Sequence, residues 1–207
     1  EATPEELTSE LCNSGVMAVD SVNFFELLNR IDNKNSKQEY YLTDIIEIYR
    51  NAGLKSVAIE AGDPDELIGV DTRADLARVE AIAQDKLRSI AMENGATLIA
   101  PETVFFSFDT LLGRDVIIGP NVVFAPGVTI GNNVTILSFC HLAETSIADG
   151  ATIGPFARLR PGSQVGEKVS IGNFVEIKNA ILENNVKINH LSYVGDARIG
   201  THANVGA

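Results

Sequence analysis

Arg160, Lys178, Glu176 and His190 are the residues of this chain whose types and spacing could do chemistry together. The two cations lie in "FARLRPGS" and "NFVEIKNA", 18 residues apart, in a chain whose formal net charge is −12. Like charges held close together repel unless an anion lies between or beside them, and a phosphate is the natural candidate. His190 stands in "INHLSYVGD" and is one of only 3 histidines. Imidazole titrates near neutral pH and is the usual general base there. A neighbouring carboxylate such as Glu176 would orient it. Cations to hold a phosphate and a base to take a proton would make half of a group-transfer site. That requires an architecture bringing residues 160, 178 and 190 to one place.

The second half of the chain supplies one. Ile118, Phe124, Ile130, Ile136 and Leu142 recur at intervals of six, and the series runs on through Ile147, Ile153, Leu159, Val165, Ile171, Ile177, Leu182, Ile188, Val194, Ile199 and Val205, with three steps of five. Two residues before each stands a small or β-branched residue, from Val116 through Cys140 and Ser163 to Ala203. A spacing of two places both side chains on one face of a strand. The residue after the large one is Gly or Ala in 11 of the 16 repeats, as expected where the backbone turns a tight corner. Strand and corner alternating at period six predict a parallel β-helix with three short strands and about 18 residues per coil.

Within that pattern, Arg160 and Lys178 occupy corner positions where Gly or Ala is expected, one whole coil apart. They are expected to stack about 4.8 Å apart in the backbone, as neighbouring strands do. The alternative is a pair of solvated surface cations. Arg158, Glu176 and Tyr193 form a second column, which reads equally as an ion-pair ladder between Arg158 and Glu176 capped by an aromatic ring. His141, His190 and His202 fall in different columns, so the spacing assembles no zinc site. Cys140 takes a small inward position and needs no chemical role.

Residues 1–100 read as α/β. "TDIIEIYRNAG" predicts a helix with Thr43 as N-cap and Gly53 at its end, and "LKSVAIEAG" predicts a strand. From 72 to 95 one long helix is expected, opened by a capping box of Thr72 and Asp75, with Leu76, Val79, Ile82, Leu87 and Ile90 as its apolar stripe. Its roughly 20 residues would make a rod of about 30 Å linking an upstream domain to the β-helix. One helix–strand–helix cannot cover a sheet, so residues 1–71 look like the closing part of a larger domain.

Composition narrows the function. Residues 1–100 carry 19 acidic and 9 basic side chains, and residues 101–207 carry 9 and 7. Neither half has a basic stripe, which argues against nucleic acid as a partner. No apolar run approaches the ~20 residues of a membrane span. The 2 cysteines make no disulfide framework, so a cytoplasmic setting is expected. The chain opens without Met and stops at "NVGA", part way through a repeat, and is read as a piece of a longer protein.

"IGPFARLRPGS", "IGNFVEIKNA", "NHLSYVGDARIG" and "NVGA" resemble the bifunctional bacterial GlmU family, in which a glucosamine-1-phosphate N-acetyltransferase is fused to an N-acetylglucosamine-1-phosphate uridylyltransferase. "CNSGVMAVD", "QEYYLTDII" and "IGVDTRADLARVE" resemble the end of the family's uridylyltransferase domain, so the likeness covers essentially the whole chain. It implies a left-handed parallel β-helix over residues 96–207, a linker helix over 72–95, and a Rossmann-like nucleotidyltransferase remnant over 1–71. It implies that Arg160 and Lys178 hold the sugar phosphate, and that His190, supported by Glu176, deprotonates the glucosamine amine that attacks acetyl-CoA. Tyr193 and Asn204 would bind substrate, and the backbone of Ala207 would meet acetyl-CoA. Asn13 would touch a UDP-sugar, and Asp71 would ligate Mg²⁺ where the family usually has Asn. For these last two, a turn residue and a helix-capping residue are the alternatives. The substrates implied are glucosamine-1-phosphate, acetyl-CoA, UTP and UDP-N-acetylglucosamine, and the assembly implied is a homotrimer with sites between neighbouring β-helices.

The family's glycine-rich nucleotide loop is absent from the sequence, so no uridylyl transfer is expected from the chain itself. The competing reading is a sugar nucleotidyltransferase whose β-helix only oligomerises or regulates. His190 beside Lys178 speaks against it, since such a helix needs no base.

Overall fold

A computed structural model describes Thr8 and residues 12–206. They fall into two compact units, Glu1–Val70 and Asp71–Ala207.

In the second unit, the period-six pattern closes into a parallel β-helix. Its strands form three sheets, of 7, 5 and 6 strands, and each strand pairs with the one a full coil away. The first sheet includes Ser170–Asn173 and Lys187–His190, the second Arg158–Leu159, Glu176–Lys178 and Tyr193–Gly195, and the third Ser163–Val165 and Ile181–Leu182. All pairing is parallel, and the strand N–H groups donate to carbonyls of the following coil. The large members of the repeat line a continuous interior, with Ile118, Ile136, Leu142, Ile153, Leu159, Ile171, Ile177 and Ile188 wholly buried. Their small partners Val116, Val134, Ala151 and Val186 are buried with them. Alternating large and small residues thus fill the interior between the three sheets. Ile199, Ala203 and Val205 pack against the same core but are half-buried.

The corners need backbone turned into the left-handed region, and many are non-glycine. Asn121, Asn133, Asn185 and Asp196 are among them, of the residue types that tolerate this best. Gly162 follows Arg160 and Pro161 with φ 80°, and a Cβ there would come within 2.8 Å of the Asn179 carboxamide oxygen. The Pro-Gly of "FARLRPGS" is thus what allows the chain to turn directly after Arg160. Gly172 sits where a Cβ would overlap the carbonyl of Asn189, so this coil can approach the next only with glycine there.

The long helix runs from Arg73 to Glu93 and begins with the expected capping box. Asp75 accepts from the Thr72 N–H at 2.8 Å, and Thr72 Oγ1 accepts from the Asp75 N–H at 3.1 Å. The Thr72 hydroxyl, which donates to the same carboxylate at 2.7 Å, and then the Thr72 N–H hold the Asp75 carboxyl below its ordinary range. The expected apolar stripe is buried only in part. Leu87 packs against the core and Val79 and Ile82 are half-buried, but Leu76 and Ile90 are exposed, whereas Gln84, Arg88 and Ala91 are buried. Gln84 accepts from the Phe106 N–H at 2.9 Å and donates to the Phe106 carbonyl at 2.7 Å. Arg88 Nε donates to the Val104 carbonyl at 2.9 Å. Val104 and Phe106 belong to the opening turn of the β-helix, whose backbone groups have no preceding coil to pair with. Polar side chains on the helix satisfy them, a requirement that outranks apolar patterning.

The first unit has a small core of Leu27, Ile45 and Tyr49, with Met17, Phe24, Leu28, Ile31 and Ile48 against it. Its helices are Phe24–Leu28 and Ile45–Asn51, the latter entered through a 3₁₀ turn at Leu42–Asp44. Thr43 therefore lies inside that turn and is not the N-cap expected from the sequence, while Gly53 ends the helix with φ 77° as expected. The strand expected over "LKSVAIEAG" is not formed. Val57 and Ile59 are exposed there, and a two-sided apolar strand without neighbours to pair with has nothing to hold it extended.

Truncating the interior tests this architecture. Leu159→Ala removes a fully buried side chain and is expected to cost about 2–5 kcal/mol of unfolding free energy, measured as a lower denaturation midpoint. A midpoint unchanged from the parent would show that the rung does not carry the fold.

Candidate functional site

The register stacks the candidate residues as the repeat requires. Arg158 pairs with Glu176, and Glu176 with Tyr193, forming the outward column of the second sheet. The Arg160 N–H donates to the Ile177 carbonyl at 2.8 Å, which sets Arg160 directly under Lys178. Ser163, buried one corner further on, fixes this turn. Its hydroxyl lies 2.6 Å from the Arg160 carbonyl and 3.2 Å from that of Ile177.

Each of the two stacked cations is met by a carboxylate from the following coil. Arg160 Nη1 donates to Glu176 Oε1 at 2.8 Å, and Lys178 Nζ lies 3.6 Å from Asp196 Oδ2. The expected Arg158–Glu176 ladder is the looser pair, at 3.8 Å. Glu176 faces Arg158 across the ladder, but Arg160, two residues further along, reaches back diagonally and takes it. Diagonal neighbours lie within reach of long side chains. Both arrangements answer the repulsion between the stacked cations, so the stack does not depend on a bound anion. A phosphate entering here would compete with Glu176 for the guanidinium.

His190 ends the Lys187–His190 strand of the first sheet, in register with Asn173. It is exposed, at the corner where the chain passes into the second sheet, and Ser192 Oγ donates to its carbonyl at 2.9 Å. His190 and the cation stack thus lie at the two edges of the second sheet, and Tyr193 is exposed on that sheet. Glu176 is engaged by the arginines of its own face. Asn204 pairs with Lys187 in the first sheet, away from the Arg160–Lys178 corner. Ala207 lies outside the described residues.

In the first unit, the Asn13 carboxamide accepts from the Gly15 N–H at 2.9 Å, closing a local turn. Asp71 is exposed, and the N-cap of the long helix is Thr72. Among the described residues no group of three or more His, Cys, Asp or Glu side chains could hold a metal ion. Asp71 alone offers too few ligands to fix Mg²⁺. Cys140 is buried, and burial pushes its thiol up to about 11, as suits an inert interior residue.

Two features escaped the sequence reading. Asp196 is one: both its oxygens are engaged, one by Lys178 and the other by the Asn179 amide at 2.8 Å. It follows a repeat glycine, a position that drew no notice. The second is a column of rings at the corner that carries His190. Phe139, Phe156 and Phe174 stack with centroids 4.8 and 5.2 Å apart, all at positive φ, with Leu191 continuing the column. Each phenylalanine lies three residues after a large inward residue, a regularity that was visible in the sequence.

The bacterial transferase hexapeptide (six repeats) family matches residues 109–143 and 144–179, the coils that carry Arg160 and Lys178. Over all 207 residues the chain is 56% identical to the bifunctional protein GlmU of Paramagnetospirillum magneticum and 59% identical to that of Rhodospirillum rubrum. The chain is thus similar to GlmU proteins over its whole length. It spans 46% of the length of each of these two relatives, a little under half. Among solved structures, a mutant GDP-perosamine N-acetyltransferase from Caulobacter crescentus, in complex with CoA and GDP-perosamine, aligns with a TM-score of 0.44 at 18% identity. That alignment covers 58% of this chain and 62% of the other. The UDP-N-acetylglucosamine O-acyltransferase of Moraxella catarrhalis aligns with a TM-score of 0.35 at 16% identity, over 54% of this chain and 58% of its own. The hexapeptide match and the parallel coils together give the left-handed β-helix fold.

The carboxylate network has a pH signature. The Asn179 amide first, and the Lys178 ammonium second, hold the Asp196 carboxyl below its ordinary value. A group depressed in this way favours the folded state above its unfolded pKa, and the contribution is lost as pH falls through the folded pKa. In a carboxyl titration followed by NMR, Asp196 is expected to titrate below the ordinary Asp value of 3.8 and to move back towards it in Asn179→Ala. A midpoint at the ordinary value in the parent would contradict the network.

Proposed function

We propose that this chain carries the sugar-phosphate side of a glucosamine-1-phosphate N-acetyltransferase, within a longer bifunctional enzyme of UDP-N-acetylglucosamine synthesis. The observation that supports it most is the stacked Arg160–Lys178 corner, on the same face as Tyr193, in a chain similar to GlmU throughout. The phosphate of glucosamine-1-phosphate would sit against Arg160 and Lys178, with the ring over Tyr193. His190 takes a proton from the amine as the nitrogen attacks the thioester carbon of acetyl-CoA. The carbon–sulfur bond breaks, and coenzyme A leaves as the thiolate, which then takes up a proton. Phosphate arriving at Arg160 displaces Glu176, and so frees that carboxylate to support the imidazole.

In the same reading, a second copy completes the open face, Asn204 serves a site across the contact in a homotrimer, and Ala207 meets acetyl-CoA. The longer protein would carry out uridylyl transfer from UTP in the cytoplasm, with residues 1–71 closing that domain and 72–95 linking it to the β-helix. Asn13 would then contact the UDP-sugar. Mg²⁺, which neutralises phosphate charge in such transfers, would need ligands beyond Asp71.

The competing reading, a β-helix that only oligomerises, gains some support from the carboxylates that already neutralise the cation pair. One variant separates the two. In the full-length protein, His190→Ala should lower acetylation of glucosamine-1-phosphate by about 10²–10⁴-fold, the usual contribution of a general base, and leave uridylyl transfer intact. Unchanged acetylation would remove His190 from the chemistry.

A further inference from the structure

We infer that Asp196 is a positioning residue that holds the Lys178 ammonium at the phosphate subsite; this rests on the phosphate reading of that corner. Lysine is a flexible point charge that does not define its own direction. At the Arg160 level of the stack, direction comes from the short bond to Glu176. At the Lys178 level it comes from Asp196, whose Oδ2 lies 3.6 Å from Nζ. Asp196 is itself fixed at three points. Its N–H donates to the Lys178 carbonyl at 3.0 Å, its Oδ1 accepts from the Asn179 amide at 2.8 Å, and its backbone is turned to φ 50° by the corner. The carboxylate is thus attached to the same corner as the lysine it holds, and the pair moves as one piece of the coil. A neutral side chain at 196 would leave the ammonium to swing into solvent, and the phosphate would have to order it on binding.

Asp196→Asn isolates the charge. Asparagine tolerates the left-handed backbone and keeps an oxygen for the Asn179 amide, so the corner should survive, as an unchanged thermal midpoint would show. In the full-length protein, Asp196→Asn is expected to raise KM for glucosamine-1-phosphate about tenfold, with kcat and the KM for acetyl-CoA little changed, because the loss is in ground-state binding. Asp196→Glu should restore part of the affinity. An unchanged KM, or a fall in kcat with KM unaffected, would overturn the assignment. If the wild-type protein fails to acetylate glucosamine-1-phosphate, the functional reading fails and this inference with it. An active wild type with an indifferent Asp196→Asn sinks this inference alone.

Discussion

Stacking between successive coils is the constraint on which the rest of the molecule depends. In a parallel β-helix each strand hydrogen-bonds to the strand one coil away, so a residue's outward neighbour is fixed by counting round the coil. Side chains about 4.8 Å apart in this way must be compatible column by column. Inside, compatibility means alternating large and small residues, and the interior columns meet it. Outside, it produces ladders in which charge must balance. The Arg160–Lys178 column is the place where like charges are stacked on purpose. Glu176 and Asp196, each from the following coil, are what make that tolerable.

This arrangement gives the corner a double character. Without ligand it is a closed ion-pair network of modest worth, since half-exposed pairs of this kind contribute about 0–1 kcal/mol each. Weak internal pairing is what a binding site needs, because a dianionic phosphate can displace Glu176 from Arg160. The same fold places His190 at one edge of the second sheet and the two cations at the other, each at or just beyond the end of a strand.

Much of this was legible in the sequence because the repeat converts spacing into position. The interior residues, the stacking of Arg160 under Lys178, the Glu176–Tyr193 column and the capping box at Thr72 all follow from counting. Contacts set by side-chain reach were not legible in the same way. Counting placed Glu176 opposite Arg158, yet Arg160 takes it diagonally, and Asp196 engages Lys178 from a corner with no unusual spacing. The long helix misled for a different reason. Its apolar residues suggested one buried face, but only Leu87 of them packs against the core, and the unpaired backbone of the first coil required Gln84 and Arg88 beside it. The strand expected near Val57 and Ile59 failed because alternation and propensity alone supply no pairing partner.

The central claim is that the stacked corner exchanges an internal carboxylate for a phosphate. A structure determined with glucosamine-1-phosphate bound tests it most directly. The account predicts phosphate oxygens within hydrogen-bond distance of both Arg160 and Lys178, with the Arg160 guanidinium withdrawn from Glu176. A sugar phosphate bound elsewhere, with the Arg160–Glu176 bond intact, would contradict it.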